Sequence, residues 1–395
     1  MDIYEESLKF HEDKKGKLEI KSKAKLKDKH DLSISYTPGV AQPCREIAKD
    51  KNLAYKYTIK ANSVAVVSNG TAVLGLGNIG PYAAIPVMEG KAILFKEFGK
   101  IDAYPICIDQ TDTSDIVKTV KAIAPVFGGI NLEDISAPAC FDIEAQLQDI
   151  GIPVMHDDQH GTAVVVLAAL LNACKVSGKK FEDLNVTIAG AGAAGYAIMK
   201  ILNTENKKTK KVKNIIVCDS KGILSRSRTD IDNNQHKKMI VETTNTNNVS
   251  GTLEDALIGA DVFIGVSAPN IVTEYMVKKM TPNAFVFAMS NPTPEIMPEA
   301  AKSGGAMIIG TGRSDFPNQI NNVLAFPGIF RGALDAKAVK ITEEMKIAAA
   351  HAIADYIKTP TIDLIIPSPL DKKVSKAVAR AVKKTAVKQG VVRKE

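Results

Sequence analysis

The sequence contains no apolar run long enough to cross a bilayer. The longest, Ala163 to Leu171, falls far short of the roughly 20 residues a spanning helix needs. Its N-terminus is charged from Asp2 onward, unlike the apolar core of a secretion signal. Cysteine is scarce too. The five, Cys44, Cys107, Cys140, Cys174 and Cys218, are odd in number and dispersed, with no C-x-x-C pair, which disfavours a disulfide framework and a thiolate zinc site. These absences lead us to expect a protein of the reducing cytoplasm with no membrane partner. There is no repeat period, and low complexity is confined to two lysine-rich stretches and the segment TTNTNN at 243–248, so a solenoid is not expected.

What is present suits a large core. Of 395 residues, 45% are hydrophobic and 24% charged, and that length suggests two domains. The formal charge of +7 is unevenly placed, since residues 371–395 hold nine Lys or Arg against Asp371 and Glu395, which equals the whole excess. The spacing of Val374, Ala377, Val378 and Val382 is helical, so this stretch reads as an amphipathic terminal helix with a solvated basic face. No nucleic-acid partner is expected from it. The stretch KKGKLEIKSKAKLKDK at 14–29 reads likewise as a solvated face or arm.

Short apolar runs alternate with helical patterns. VAVVS (64–68), AILF (92–95), VTIAG (186–190), IIVCD (215–219), VFIGVS (262–267), AFVFAMS (284–290) and AMIIGTG (306–312) read as seven buried strands with small polar or glycine exits. Such alternation predicts an α/β class with parallel sheets. The segment SGKKFEDLN (177–185) precedes a strand and a glycine-rich turn. The expected organisation is an N-terminal α/β substrate domain over 1–160, a Rossmann-type doubly wound domain over 161–365, and a basic helical tail over 366–395.

Within VTIAGAGAAGYAIMKIL, Gly190, Gly192 and Gly195 have G-x-G-x-x-G spacing, with Ala193 and Ala194 between the last two, directly after a strand and opening an apolar helix. The first glycine permits a tight turn, the second lets a pyrophosphate approach the backbone, and the third lets helix and strand pack closely. A second strand ends in Asp219, 24 residues past Gly195, where a carboxylate can bind the adenosine ribose. That acid favours NAD, whereas Ser220, Lys221, Arg226 and Arg228 nearby can accept the 2′-phosphate of NADP, so both cofactors stay open. Gly75, Gly77 and Gly80 of VLGLGNIG repeat the spacing without a following strand that ends in an acid. They read as a structural or substrate-side loop.

Glu133 and Asp134 in GGINLEDISAP, and Asp157 and Asp158 in HDDQHGTA, each follow a short apolar approach. The ends of two neighbouring parallel strands would bring these acids together, a donor set for Mg²⁺ or Mn²⁺. Capping of helix starts is the competing use of the same residues. His156 and His160, four apart, raise a zinc alternative. However, His156 precedes the expected helix start and no third nitrogen or sulfur ligand is evident.

With these pieces together, the sequence resembles the malic enzyme family, in the compact form common in bacteria and some protists. The motifs are SYTPGVA (35–41), AVLGLGNIGPYAAIPVMEGKAILFK (72–96), NLEDISAPACF (131–141), HDDQHGTA, IAGAGAAG, SNPTPE (290–295) and GRSDFPNQINNVLAFPGIFRGALD (312–335). The resemblance implies oxidative decarboxylation of (S)-malate to pyruvate and CO₂ with reduction of NAD or NADP, a Mg²⁺ or Mn²⁺ requirement, oxaloacetate decarboxylation as a companion activity, and a homodimer.

The resemblance also assigns roles. Lys91 is the base for the C2 hydroxyl, for which a lowered pKa is expected, and Tyr36 is the acid that protonates C3. Glu133, Asp134 and Asp158 hold the metal, with Asp157 beside them. Asn291 lies on the cofactor side, and Asn322, with Asn321 as second choice, at the substrate carboxylate. Ala72 stands where larger family members carry an arginine, so substrate carboxylate binding does not transfer from them. No acyltransferase-like domain is expected after the basic helix, nor the regulation of longer relatives. Two rival readings are a metal-independent two-domain amino-acid dehydrogenase and a non-catalytic dinucleotide- or nucleic-acid-binding protein.

Overall fold

The alternating runs fold into two sheets. The computed structural model describes residues 2–73, 75–205 and 210–393. Leu74 of the LGLG turn, and Lys394 and Glu395 of the basic C-terminal stretch, lie outside the described residues. In the first sheet, β1 (Ser63–Ser68), β2 (Asp102–Cys107), β3 (Gly129–Leu132) and β4 (Val154–His156) are all parallel, in the order β2-β1-β3-β4. In the second, β5 (Asn185–Ala189), β6 (Asn214–Asp219), β7 (Gly222–Ile223), β8 (Val262–Gly265), β9 (Phe285–Ala288) and β10 (Ile308–Thr311) run in the order β10-β9-β8-β5-β6-β7, with only β7 antiparallel. The order in which successive strands are added reverses beside β1 and beside β5. In open α/β sheets those are the points where strand ends form a crevice.

Two sequence readings change. AILF is not a strand: it lies inside the 20-residue helix Gly80–Gly99, because a run of four apolar residues has no periodicity that separates strand from buried helix. β2 was missed. Its sequence DAYPIC carries Pro105 at an edge position, where the missing N–H breaks no ladder.

The helix Asp157–Ser177 joins the sheets. Its length and composition would allow it to cross a membrane, but most of its residues are buried in the protein core. The boundary drawn at 160/161 falls in its first turn. One apolar cluster runs from Val64, Met88 and Phe95 of the first unit to Phe326, Phe330, Val378 and Val382 near the C-terminus, so the terminal helices close the N-terminal unit rather than the Rossmann sheet alone. Phe95 meets Phe326 and Phe330 edge-on at 4.7 and 5.4 Å between centroids, a favoured aromatic geometry.

The basic helix Lys372–Gln389 buries Val374, Val378, Val382 and Ala386, as its spacing predicted, and is therefore a packed element rather than a loose tail. A Cβ at Gly328 or Gly332 of the helix Phe326–Asp335 would lie 2.6 and 2.8 Å from the Cβ atoms of Val378 and Val382. Only glycine allows that approach. By contrast, residues 2–59 contribute no fully buried side chain.

Candidate active site

β3 and β4 pair in register with Leu132 opposite His156, so Glu133 and Asp157 leave adjacent strand ends side by side. Lys91 approaches them from the helix Gly80–Gly99, and its Nζ donates to Glu133 Oε1 at 2.7 Å and Asp157 Oδ2 at 2.5 Å. The same ammonium lies 4.1 Å from the Phe326 ring centroid. Asn131 Nδ2 donates to the other Glu133 oxygen at 2.8 Å, and the Asp134 N–H donates to Asp158 Oδ2 at 2.8 Å. Asp134 has φ +51°, the left-handed region that aspartate tolerates better than most residues. One donor oxygen each from Glu133, Asp134 and Asp158 falls within 4.8 Å of the others.

Four carboxylates thus crowd one ammonium among the described residues. Burial would lower the Lys91 pKa, but Asp157, Glu133 and Asp158 outweigh it and raise it above the usual lysine range. The expected lowered pKa is not what this cluster produces, because acids surround the amine. Burial, with the Asp158 and Glu133 charges adding to it, pushes Asp134 up to about 8. Burial also takes Asp157 up to about 7 against the pull of Lys91, and the Glu133 and Asp158 carboxyls are raised chiefly by burial as well. Asp134 Oδ2 and Asp157 Oδ1 are buried without a hydrogen-bond partner. A set of hard oxygen donors short of positive charge fits a Mg²⁺ or Mn²⁺ ion.

The histidines do something else. His160 Nε2 lies 2.8 Å from Glu144 Oε2 and its Nδ1 lies 3.0 Å from Lys346 Nζ, while the second Glu144 oxygen accepts the His156 N–H at 2.9 Å. His160 is thus committed to a buried network. Neither ring nitrogen of His156 has a hydrogen-bond partner, Asp158 Oδ2 lying 3.8 Å from Nε2, and burial pushes its pKa down to about 4. The pair does not form a zinc site.

At the second sheet, a cleft of about 770 Å³ is lined by Gly190, Gly192, Asp219, Ser220, Lys221 and Lys237, with Ala137, Pro138 and Phe141 of the first unit opposite. Gly190 has φ +121°, and a Cβ there would lie 2.6 Å from the Val266 carbonyl oxygen. A Cβ on Gly195 would collide with the Gly190 carbonyl, which is why the third glycine of the motif has no substitute. Ala193 and Ala194 open the helix Ala193–Leu202. Asp219 ends β6 and is bound by Arg228 and Lys237. Arg226 is exposed, and its N–H donates to Asn248, so of the two arginines only Arg228 reaches the acid.

The remaining predicted residues divide. A Cβ on Gly75 would lie 3.1 Å from the Asn291 carbonyl oxygen, which places the LGLG turn against the SNPTP loop. Asn321 Oδ1 caps the short helix Asn322–Leu324 by accepting the Val323 N–H. Asn322 lies against the first turn of the Asp157–Ser177 helix, its Cβ 3.1 Å from where a Gly161 Cβ would stand. Tyr36 is 67% exposed, and no described contact joins it to Lys91 or the acids. Sequence reasoning missed the direct Lys91–Asp157 pair, and it missed Lys237 and Glu144, whose partners lie far away in the chain.

Residues 15–117 match the malic enzyme N-terminal domain, and residues 159–387 the malic enzyme NAD-binding domain. The chain belongs to the malic enzyme family. It is 56% identical to an NAD-dependent malic enzyme of Geobacillus stearothermophilus, over 96% of this chain and 78% of that one. An NADP-dependent malic enzyme of Halomonas elongata is 45% identical, over 96% and 92%. A malic enzyme structure from Pyrococcus horikoshii superposes with a TM-score of 0.94 at 48% identity, covering 100% of this chain and 93% of that one. The malic enzyme fold therefore extends from the N-terminal arm through the basic helix.

Proposed function

We propose that this chain oxidises (S)-malate to pyruvate and CO₂ with reduction of NAD or NADP in the cytoplasm, assisted by Mg²⁺ or Mn²⁺, and decarboxylates oxaloacetate at the same site. The observation that carries the reading is Lys91, buried and hydrogen bonded to Glu133 and Asp157 at paired strand ends. Glu133, Asp134 and Asp158 hold the metal. When bound, the divalent ion would supply Lewis-acid polarisation of the 2-oxo group and the dinucleotide a hydride acceptor for C2. Lys91 takes the C2 hydroxyl proton after handing one of its own to Asp157, and Tyr36 returns a proton to C3 of the enol. Asn322, whose amide makes no described hydrogen bond, orients the substrate carboxylate. Gly190, Gly192 and the start of the helix Ala193–Leu202 hold the pyrophosphate, and Asn291 borders the nicotinamide end.

The same reading makes the chain a homodimer. Ile3, Tyr4, Leu8, Ile20, Leu26 and Ile34 are all exposed on the N-terminal segment, an apolar surface of the kind partners cover. No nucleic acid enters this reading; at the start of the basic helix Lys372 is paired with Glu97. An assay of purified protein with malate and Mn²⁺ tests the proposal: reduction of either dinucleotide is expected, lost on chelation and in Glu133→Ala. Undiminished reduction after chelation would overturn the metal assignment, and a monomer by light scattering the dimer.

A further inference from the structure

Asp219 stands where an acid usually receives the adenosine ribose and repels a 2′-phosphate, but here its acceptor sites are already filled. Oδ1 accepts from Arg228 Nη1 at 2.8 Å and the Lys221 N–H at 2.9 Å, and Oδ2 from Arg228 Nη2 at 3.0 Å and Lys237 Nζ at 2.6 Å. A carboxylate offers about four lone-pair sites, so none is left for a ribose diol. The Asp219 side chain is only 7% exposed, whereas those of Lys237 and Lys221 are 29% and 66% exposed. Burial opposes the Asp219 charge, yet the Arg228 and Lys237 hydrogen bonds prevail and bring it down to about 2.

The chain path builds this clamp. After Asp219 the short antiparallel strand β7 turns back at Gly222, whose φ of +104° and close approach to the Gly251 carbonyl suit only glycine. Arg228 then returns with both guanidinium branches on Asp219, and its Nε and Nη2 also bind Asp230. Arg228, Lys237 and Lys221 face the acids Asp219 and Asp230. This end of the cleft has one more cation than acid, and Ser220, Lys221, His236 and Lys237 line it.

We propose that Arg228 makes this end of the cleft a 2′-phosphate site, so that the enzyme uses NADP: by neutralising Asp219 it removes the repulsion that would exclude the phosphate, which Lys237, Lys221 and Ser220 receive. The inference rests on the dinucleotide reading of the cleft and goes beyond it by choosing between the two cofactors. A phosphate monoester brings about two negative charges, and a bidentate arginine holds the acid in a way that a lysine cannot match.

Calorimetric titration of the whole enzyme with 2′,5′-ADP and 5′-AMP, which differ only in the 2′-phosphate, tests this without turnover. The wild type should bind 2′,5′-ADP at least tenfold more tightly. Arg228→Met should cut that ratio fivefold or more by uncovering the Asp219 charge, and the double variant Arg228→Met/Asp219→Asn should restore it. Restoration is a result that a merely structural role for Arg228 does not give. Equal affinities in the wild type, or a ratio that Arg228→Met leaves intact, would overturn the proposal. Absence of malate oxidation with both dinucleotides, alongside a retained fragment preference, would instead overturn the malate reading.

Discussion

The end of the first sheet and the end of β6 both gather acids and cations, but in opposite proportion. Around Lys91, four carboxylates share one ammonium in a largely buried cluster, and the acids Asp134 and Asp157 are pushed up to about 8 and about 7. Around Asp219, cations outnumber acids in a half-open cleft, and the carboxyl is held at about 2. An acid at a strand end therefore says little about its ligand until its neighbours are counted. The first cluster lacks positive charge and suits a divalent cation. The second lacks negative charge and suits a phosphate.

The largest expected effect comes from removing the lone cation of the first cluster. Lys91→Ala should lower malate oxidation by about 10²- to 10⁴-fold, the usual span for a positioned acid or base, as read by steady-state dinucleotide reduction. A rate within threefold of wild type would remove Lys91 from the chemistry. Next, Mn²⁺ at a hundredfold excess over its Kd should stabilise the fold by about 2.7 kcal/mol, seen as a rise in Tm. The same titration of Asp158→Asn should be nearly flat; an undiminished rise would place the ion elsewhere.

The two clusters should also respond to pH with opposite sign. Asp134 and Asp157 are raised in the folded state, so the folded protein keeps protons that the unfolded chain has released. Their contribution should favour folding below about pH 4 and be lost as pH climbs through about 7 and about 8. Asp219 is lowered, so its contribution is present above about pH 4 and lost as pH falls toward about 2. Denaturant midpoints of chelated protein across this range, compared with Asp134→Asn and Asp219→Asn, separate the two slopes; slopes of one sign would erase the contrast. The smallest effect is expected at Lys221, whose exposed, solvent-screened pair with Asp230 should leave the denaturant midpoint of Lys221→Ala nearly unchanged. A large fall in that midpoint would show the second cluster to be a structural brace.

Much of this was readable in the chain because the signals are local. The glycine spacing after VTIA marks a turn whose third glycine has no room for a Cβ, and the acids after GGINL and IPVM sit at strand ends because apolar runs stop there. The Lys91 helix was misread in part, since AILF is too short to declare its period. Arg228 was one of several cations within ten residues of Asp219, and nothing local distinguished it from Arg226. Lys237 and Glu144 carried no signal at all: each matters through a partner on another element.

Sequence alone determined the α/β order, the dinucleotide turn, the family and the acids available for a metal, because these depend on runs and spacings within one segment. Only the tertiary structure decided which way each ionisable group is pushed. The field at Lys91 is the sum over Glu133, Asp157 and Asp158, and the field at Asp219 is the sum over Arg228, Lys221 and Lys237. Such sums depend on distance and burial, which the chain acquires when β3 pairs with β4 and when the hairpin after β6 folds back.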